Sequence, residues 1–166
     1  MLWNKNVKGI LIGMIIFSLL GIFFAYVSVI AHYNTESSTF CAINETFDCD
    51  VVNQSSYSVF LGIPVAILGL LAYVFFLFTA IAFLIAGKGK MPQDGAKRAL
   101  VEKYMKLTVD FVALVAVLGL AFSLYLTSIE AFVLKTWCIM CIGSQICILV
   151  IVALAFQVRS RITERL

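Results

Sequence analysis

Four of the five cysteines in this 166-residue chain fall into two pairs whose spacing suits thiol–disulfide exchange. Cys138-Ile139-Met140-Cys141 is a C-x-x-C at the start of an apolar stretch. Three positions apart on a helix, the sulfurs stand about one turn from each other, within bridging reach. A helix start also presents unpaired N–H groups and the positive end of the dipole, which favour the reactive thiolate. Cys41 and Cys49 lie seven residues apart (Cys41-x7-Cys49) in a polar loop. Taken alone, that pair reads as a static staple of the loop. Beside the C-x-x-C it reads as a second exchange partner, the more so if Cys49 opens a short helix. Two such pairs at neighbouring ends of membrane helices point to electrons passing between a protein dithiol and a carrier dissolved in the bilayer. A C-x-x-C also serves as half a zinc site, but the second pair lacks the short spacing of the other half, and no metal is expected. Cys147, six residues past Cys141 and on a different face, reads as a buried, inert thiol.

The elements that carry these thiols are legible from hydropathy. Hydrophobic residues make up 63% of the chain and charged residues 13%, more apolar surface than a water-soluble domain of this size can hide. Asp, Glu, Lys and Arg are missing from Gly9–Tyr33, Val51–Gly87, Phe111–Ile129 and Thr136–Val158. A spanning helix needs about 20 apolar residues. The expectation is therefore an all-α integral membrane four-helix bundle forming a single domain, with spans near 9–31, 59–86, 107–129 and 137–158. The first stretch is too long for a signal-peptide core and is kept as a mature helix.

Charge sets the expected orientation. Eleven of the twelve Lys and Arg lie before the first span, in the central loop or after the last span; the exception is Lys135. Glu36, Glu45, Asp48, Asp50 and Glu130 gather on the opposite side. The positive-inside rule puts both termini and the central loop in the cytoplasm. All four paired cysteines then face the exported, oxidising side, where disulfides persist. A net charge of +3 is too small to suggest nucleic acid. The basic loop residues are expected to fix topology and touch anionic lipid heads.

The exported loop, about 32–58, is expected to carry a short helix after Cys49, with Asp48 or Asp50 as its cap. Tyr57 is placed as an interfacial aromatic. Pro64 lies near the start of the second span, where proline is tolerated. The connection from Glu130 to Thr136 is so short that the third and fourth spans must be antiparallel neighbours. His32, at the end of the first span, is assigned no role, and Asp110 and Glu130 are read as reaching the head-group zones. Asn44-Glu45-Thr46 and Asn53-Gln54-Ser55 fit the N-x-S/T acceptor pattern, which matters only where the exported face is glycosylated.

With these residues on the page, the chain resembles the vitamin K epoxide reductase family. The resemblance rests on Cys41, Cys49, Ser55 six positions later, the run Tyr57-Ser58-Val59-Phe60-Leu61-Gly62-Ile63-Pro64, and Trp137-Cys138-x-x-Cys141. It covers nearly the whole chain. The compact link from Ser55 to Gly62-Ile63-Pro64 is similar to the prokaryotic branch, which makes disulfides for export. The resemblance implies a bundle holding a quinone (ubiquinone, menaquinone or a related naphthoquinone) near the C-x-x-C. It implies that quinone re-oxidises Cys138–Cys141, with Cys141 nearest the ring. Cys49 would form the mixed disulfide with Cys138, Cys41 would meet the external partner, and Ser55 matches the family serine beside the quinone. Two departures stand out. Vertebrate members carry a tyrosine four residues after the second C-x-x-C cysteine, where this chain has Gln145. Many prokaryotic members also carry a fused thioredoxin-like domain; this chain stops at Leu166 without one, so a separate thioredoxin-like exported protein is the expected partner.

The cleft for the quinone needs apolar walls and one or two polar anchors. Phe60, Ile63, Met140 and Ile142 are the apolar candidates, and Ser55, Tyr57 and Gln145 the polar ones. The resulting expectation is a quinone-dependent disulfide oxidase of the plasma membrane. Two alternatives stay open: an epoxide and quinone reductase acting on vitamin K in an endoplasmic reticulum membrane, and a non-enzymatic four-span scaffold stapled by disulfides.

Overall fold

The structure is a computed structural model that describes residues 5–33, 47–89 and 92–163. It is an all-α membrane bundle. Four helices are long and apolar enough to cross a membrane: α1 (Lys5–Tyr33), α3 (Val65–Ala86), α4 (Gly95–Ile129) and α5 (Ile139–Thr163). Between α1 and α3 lie the short helix α2 (Cys49–Asn53), a 3-10 turn over Ser56–Ser58, and a two-stranded hairpin of β1 (Val59–Phe60) and β2 (Ile63–Pro64). Helix α1 packs on both α3 and α5, and α5 packs on α4, while α3 and α4 approach each other at few points. The expected antiparallel pairing of the last two spans is thus the α4–α5 contact.

The interior follows from the pattern of small and large side chains. The buried face of α1 reads Val7, Leu11, Met14, Ser18, Gly21, Ala25 and Ser28, steps of four and three that keep one stripe against the bundle. Its middle is small, which lets neighbouring helices come close where hydrocarbon surroundings supply no hydrophobic drive. Gly21 is required by contact: a Cβ there would overlap the Tyr73 ring of α3. Large apolar side chains such as Phe23, Leu71, Phe78 and Ile85 point outward and are more than half exposed, the composition of a lipid-facing surface.

Three boundaries differ from the sequence expectation. The second span does not begin at residue 59. Val59 pairs with Pro64 and Phe60 with Ile63, around a turn in which Leu61 (φ 52°) and Gly62 (φ 82°) both take the left-handed conformation. Leu61 sits at the tip, 88% exposed. Pro64, expected early inside the span, stands just outside α3 as its N-cap residue, where its missing N–H leaves no bond unmade. The helix that carries the third span starts well before residue 107, at Gly95, capped by the Asp94 carboxylate on the Ala96 N–H (3.2 Å). At its other end it runs on through a π-helical turn, Glu130–Leu134, and stops at Lys135, whose φ of 53° breaks the helix.

Candidate functional site

The expected short helix forms at Cys49. Asp48 caps it, its carboxylate accepting from the N–H groups of Asp50 (2.9 Å) and Val51 (3.2 Å). The segment is clasped to the C-x-x-C by main chain. Asp48 donates its N–H to the Trp137 carbonyl (3.1 Å), and Phe47 bridges Trp137 in parallel. This brings the two halves of the chain together one residue before Cys49 and one before Cys138.

Cys49 and Cys138 consequently share one small apolar cluster with Val52, fringed by Leu134, Ile139, Met140 and Cys141. Cys49 is 1% exposed and Cys138 0%. Cys49 is disulfide-bonded. Cys138, Cys141 and Cys147 are free, so the partner of Cys49 lies outside the described residues. Cys41 also falls outside them. Cys147 is buried, as expected of an inert thiol.

The Cys138 sulfur is the focus of two donors. The Cys141 N–H points at it from the first turn of α5 (3.2 Å), and the Asn53 amide approaches at 3.8 Å. The same Asn53 Nδ2 donates to the Cys49 carbonyl (2.9 Å), so one side chain ties both cysteine segments together. The Glu130 carboxylate accepts the Cys138 N–H (3.1 Å) and is close enough to the Cys141 thiol to interact with it electrostatically. Glu130 is 4% exposed. It opens the π-helical turn, and such turns redirect side chains out of the regular helical progression.

Cys141 lines a cavity of about 480 Å³. The cavity occupies the gap between α3 and α4, which make few contacts with each other. Its walls are mainly apolar, with Leu68, Ala72, Val115, Leu118 and Phe122 contributing. Phe60 of the hairpin meets Phe122 of α4 edge to face, centroids 5.8 Å apart, joining the two sides. Polar groups reach it at the cysteine end: Ser55, Tyr57, His32, Glu130 and, from α3, Tyr73, whose hydroxyl bonds both Ser144 oxygens (2.7 and 2.9 Å). The size and the few convergent polar groups suit a planar apolar ligand with oxygen acceptors.

Among the residues singled out from sequence, Ser55, Tyr57, Phe60 and Cys141 line this cavity, whereas Ile63, Met140, Ile142 and Gln145 do not. Ile63 is exposed. Met140 packs at the Cys49–Cys138 cluster. Gln145 is one layer away: its Oε1 accepts from Ser123 and from Thr127 (3.3 Å), two wall residues. The Ser55 hydroxyl donates to the Val52 carbonyl (2.8 Å), closing the end of α2.

Glu130, Asn53, Tyr73 and His32 were not singled out for the site. His32 Nδ1 faces the Asn53 carbonyl, an acceptor, so this nitrogen carries the proton, with Ser58 Oγ 3.3 Å away. The signal for Glu130 was present as an acid eight residues before the C-x-x-C, yet only the π-helical turn reveals that it points inward.

Comparison with known proteins agrees with this geometry. The family model described as the vitamin K epoxide reductase family matches residues 12–156. The chain belongs to the vitamin K epoxide reductase family. It is accordingly a multi-pass membrane protein of a family of quinone-linked oxidoreductases. A search of individually curated proteins gives no match to this chain.

Proposed function

We propose that this family member is a quinone-dependent thiol oxidoreductase that makes disulfides on the exported side of the plasma membrane. Electrons enter from a separate thioredoxin-like protein at Cys41–Cys49, pass to Cys138–Cys141, and leave to a membrane quinone. The observation that carries the reading is the packing of Cys49 against Cys138 with Cys141 on the cavity wall. One sulfur faces the loop, one is buried between, and one borders the space for an apolar oxidant.

Exchange proceeds by thiolate attack on a disulfide sulfur. A reduced partner opens the Cys41–Cys49 disulfide, and its own thiols become oxidised. The Cys49 thiolate then attacks Cys138, forming the Cys49–Cys138 bond as the Cys138–Cys141 bond breaks and Cys141 departs as thiolate. Asn53 and the Cys141 N–H hold the Cys138 sulfur in place for that attack. A quinone in the cavity supplies a two-electron, two-proton acceptor. Cys41 then attacks Cys49, re-forming Cys41–Cys49 and releasing Cys138 as thiolate; a quinone bound in the cavity would take the two electrons and two protons of the Cys138/Cys141 dithiol, so that the sum is dithiol plus quinone to disulfide plus quinol. Ser55, Tyr57 and His32 stand where they would hold ring oxygens. The excess of basic residues at the other end of the helices supports a cytoplasmic placement for the termini.

The test is trapping. With Cys141→Ala, Cys138 is left a lone thiolate that attacks Cys49 of the oxidised Cys41–Cys49 bridge and releases Cys41 as thiol, so mass spectrometry of the protein purified without reductant is expected to show a Cys49–Cys138 cross-link. Persistence of a Cys41–Cys49 bridge throughout turnover of the unmodified chain would sink the relay. Parallel assays with vitamin K epoxide, and with the dithiol plus ubiquinone or menaquinone, separate the oxidase from an epoxide reductase. Retention of fold with no quinone reduction in either assay would leave a stapled scaffold.

A further inference from the structure

We propose that Glu130 is a catalytic acid–base residue, taking the thiol proton of Cys141 and returning it to the cavity as the sulfur's electron pair leaves. The assignment builds on the oxidoreductase reading above and adds the group that handles the proton. It starts from an anomaly of burial. A carboxyl group 4% exposed is costly to hold without a partner, and among the described residues no Lys or Arg forms an ion pair with Glu130. What meets it instead is the C-x-x-C motif: the Cys138 N–H on Oε2 at 3.1 Å, and the Cys141 thiol, close enough for the two to interact electrostatically and lining the same cavity. Capping the start of α5 needs only one oxygen and no titrating group. A serine or an amide would serve equally well. The carboxyl also borders the same cavity as Cys141, so a proton leaving the sulfur has a holder that already faces the acceptor's side.

The step balances within the chain. Cys141–SH and Glu130–COO⁻ become Cys141–S⁻ and Glu130–COOH: one S–H bond breaks, one O–H bond forms, and no atom changes oxidation state. When the quinone of the proposed function takes the electron pair, the Cys138 sulfur bonds to Cys141 as the disulfide; the carboxyl proton and the Cys138 thiol proton go to the acceptor's two oxygens, giving quinol, and Glu130 is again a carboxylate. Among the described residues, the other ionisable side chains brought to this end by the surrounding elements are Cys138 on the α5 side, Asp48 and Asp50 on the α2 side, Tyr57 before the hairpin, Tyr73 on α3, His32 on α1, and the exposed Lys135.

Two measurements on the full-length chain decide the matter. The first is the pH dependence of Cys141 alkylation by iodoacetamide in the reduced protein without quinone, read peptide by peptide in a mass spectrometer. A coupled carboxyl–thiol pair gives a two-step profile, and Glu130→Gln is expected to leave one step. The second is dithiol-driven quinone reduction. Glu130→Gln is expected to slow it by about 10²-fold at neutral pH, within the range of a lost acid–base group, with the deficit shrinking as pH rises. Glu130→Asp, which keeps the acid, is expected to recover most of the rate and the two-step profile. A Gln variant with unchanged turnover, or Gln and Asp variants equally slow at every pH with the two-step profile intact, overturns the proposal and leaves Glu130 a structural cap. If the Gln variant does not fold, the Asp variant decides alone, and a one-step profile there is equally fatal. A wild-type chain that reduces no quinone but shows these alkylation profiles refutes the proposed function and not the Cys141–Glu130 pair.

Discussion

The two ends of the bundle are built to opposite rules. Toward the basic end, Leu11, Met14, Ala80, Val109 and Ala155 close around a gap of only about 10 Å³. At the cysteine end the same four helices part around about 480 Å³, and Asn53, Glu130 and Thr136 are buried among them. The first arrangement maximises contact and leaves nothing for a ligand to fill. The second accepts buried polar groups and empty volume, both unfavourable for stability, and leaves Cys141 bordering a space that a ligand can fill. Stability is thus concentrated in one half, and it holds the helix ends that position the other.

This contrast can be broken most forcefully in the packed half. Phe76, three residues past Tyr73, is 0% exposed. Its replacement by Ala is expected to cost about 3–5 kcal/mol by removing contacts and opening a cavity, read as a large drop in thermal unfolding temperature in detergent. Thiol exchange per folded molecule should stay within a factor of about two, since no atom of the cysteine cluster is touched. A proportional loss of both would show that the halves are not separable. A smaller effect is expected at the other end. Asn53→Ala removes a side chain that bonds both the Cys49 carbonyl and the Cys138 sulfur. Loss of about 1–1.5 kcal/mol of positioning should slow the Cys49-to-Cys138 exchange about tenfold in a stopped reaction, with little change in unfolding temperature. The smallest effect is expected on the surface of the packed half. Arg159 and Asp110 pair at 2.7 Å but stay partly exposed, so Asp110→Asn should alter stability by no more than about 1 kcal/mol and lose even that at high salt. An Asp110 effect exceeding that of Asn53 on exchange would invert the division argued here.

The sequence carries the outline of this architecture more clearly than its site. Charge-free stretches locate the four spans because hydrocarbon tolerates so few alternatives to helix. The C-x-x-C and the Asp48-capped helix are equally visible, since each is a local pattern with a local cause. Residues 59–64 are as apolar as the helix that follows, so hydropathy alone merged the hairpin with the span; the left-handed Leu61 and Gly62 that separate them leave no mark on a hydrophobicity count. The start of α4 at Gly95 was hidden for the converse reason, its first turns carrying Lys97, Arg98 and Glu102 and so reading as loop. Glu130 looked like a surface acid because nothing in the order of residues announces a π-helical turn. His32 was set aside because a lone histidine gains meaning only from what faces it, and the Asn53 carbonyl comes from 21 positions away.

The clasp between Asp48 and Trp137 has a further consequence. It is made of peptide groups alone, which no step of sulfur exchange alters and few substitutions remove. In the proposed relay, the Cys49 segment would therefore stay moored beside Cys138 as the sulfurs change partners, and its thiol would meet the other sulfur at the high local concentration of a tethered reactant, without a diffusional search.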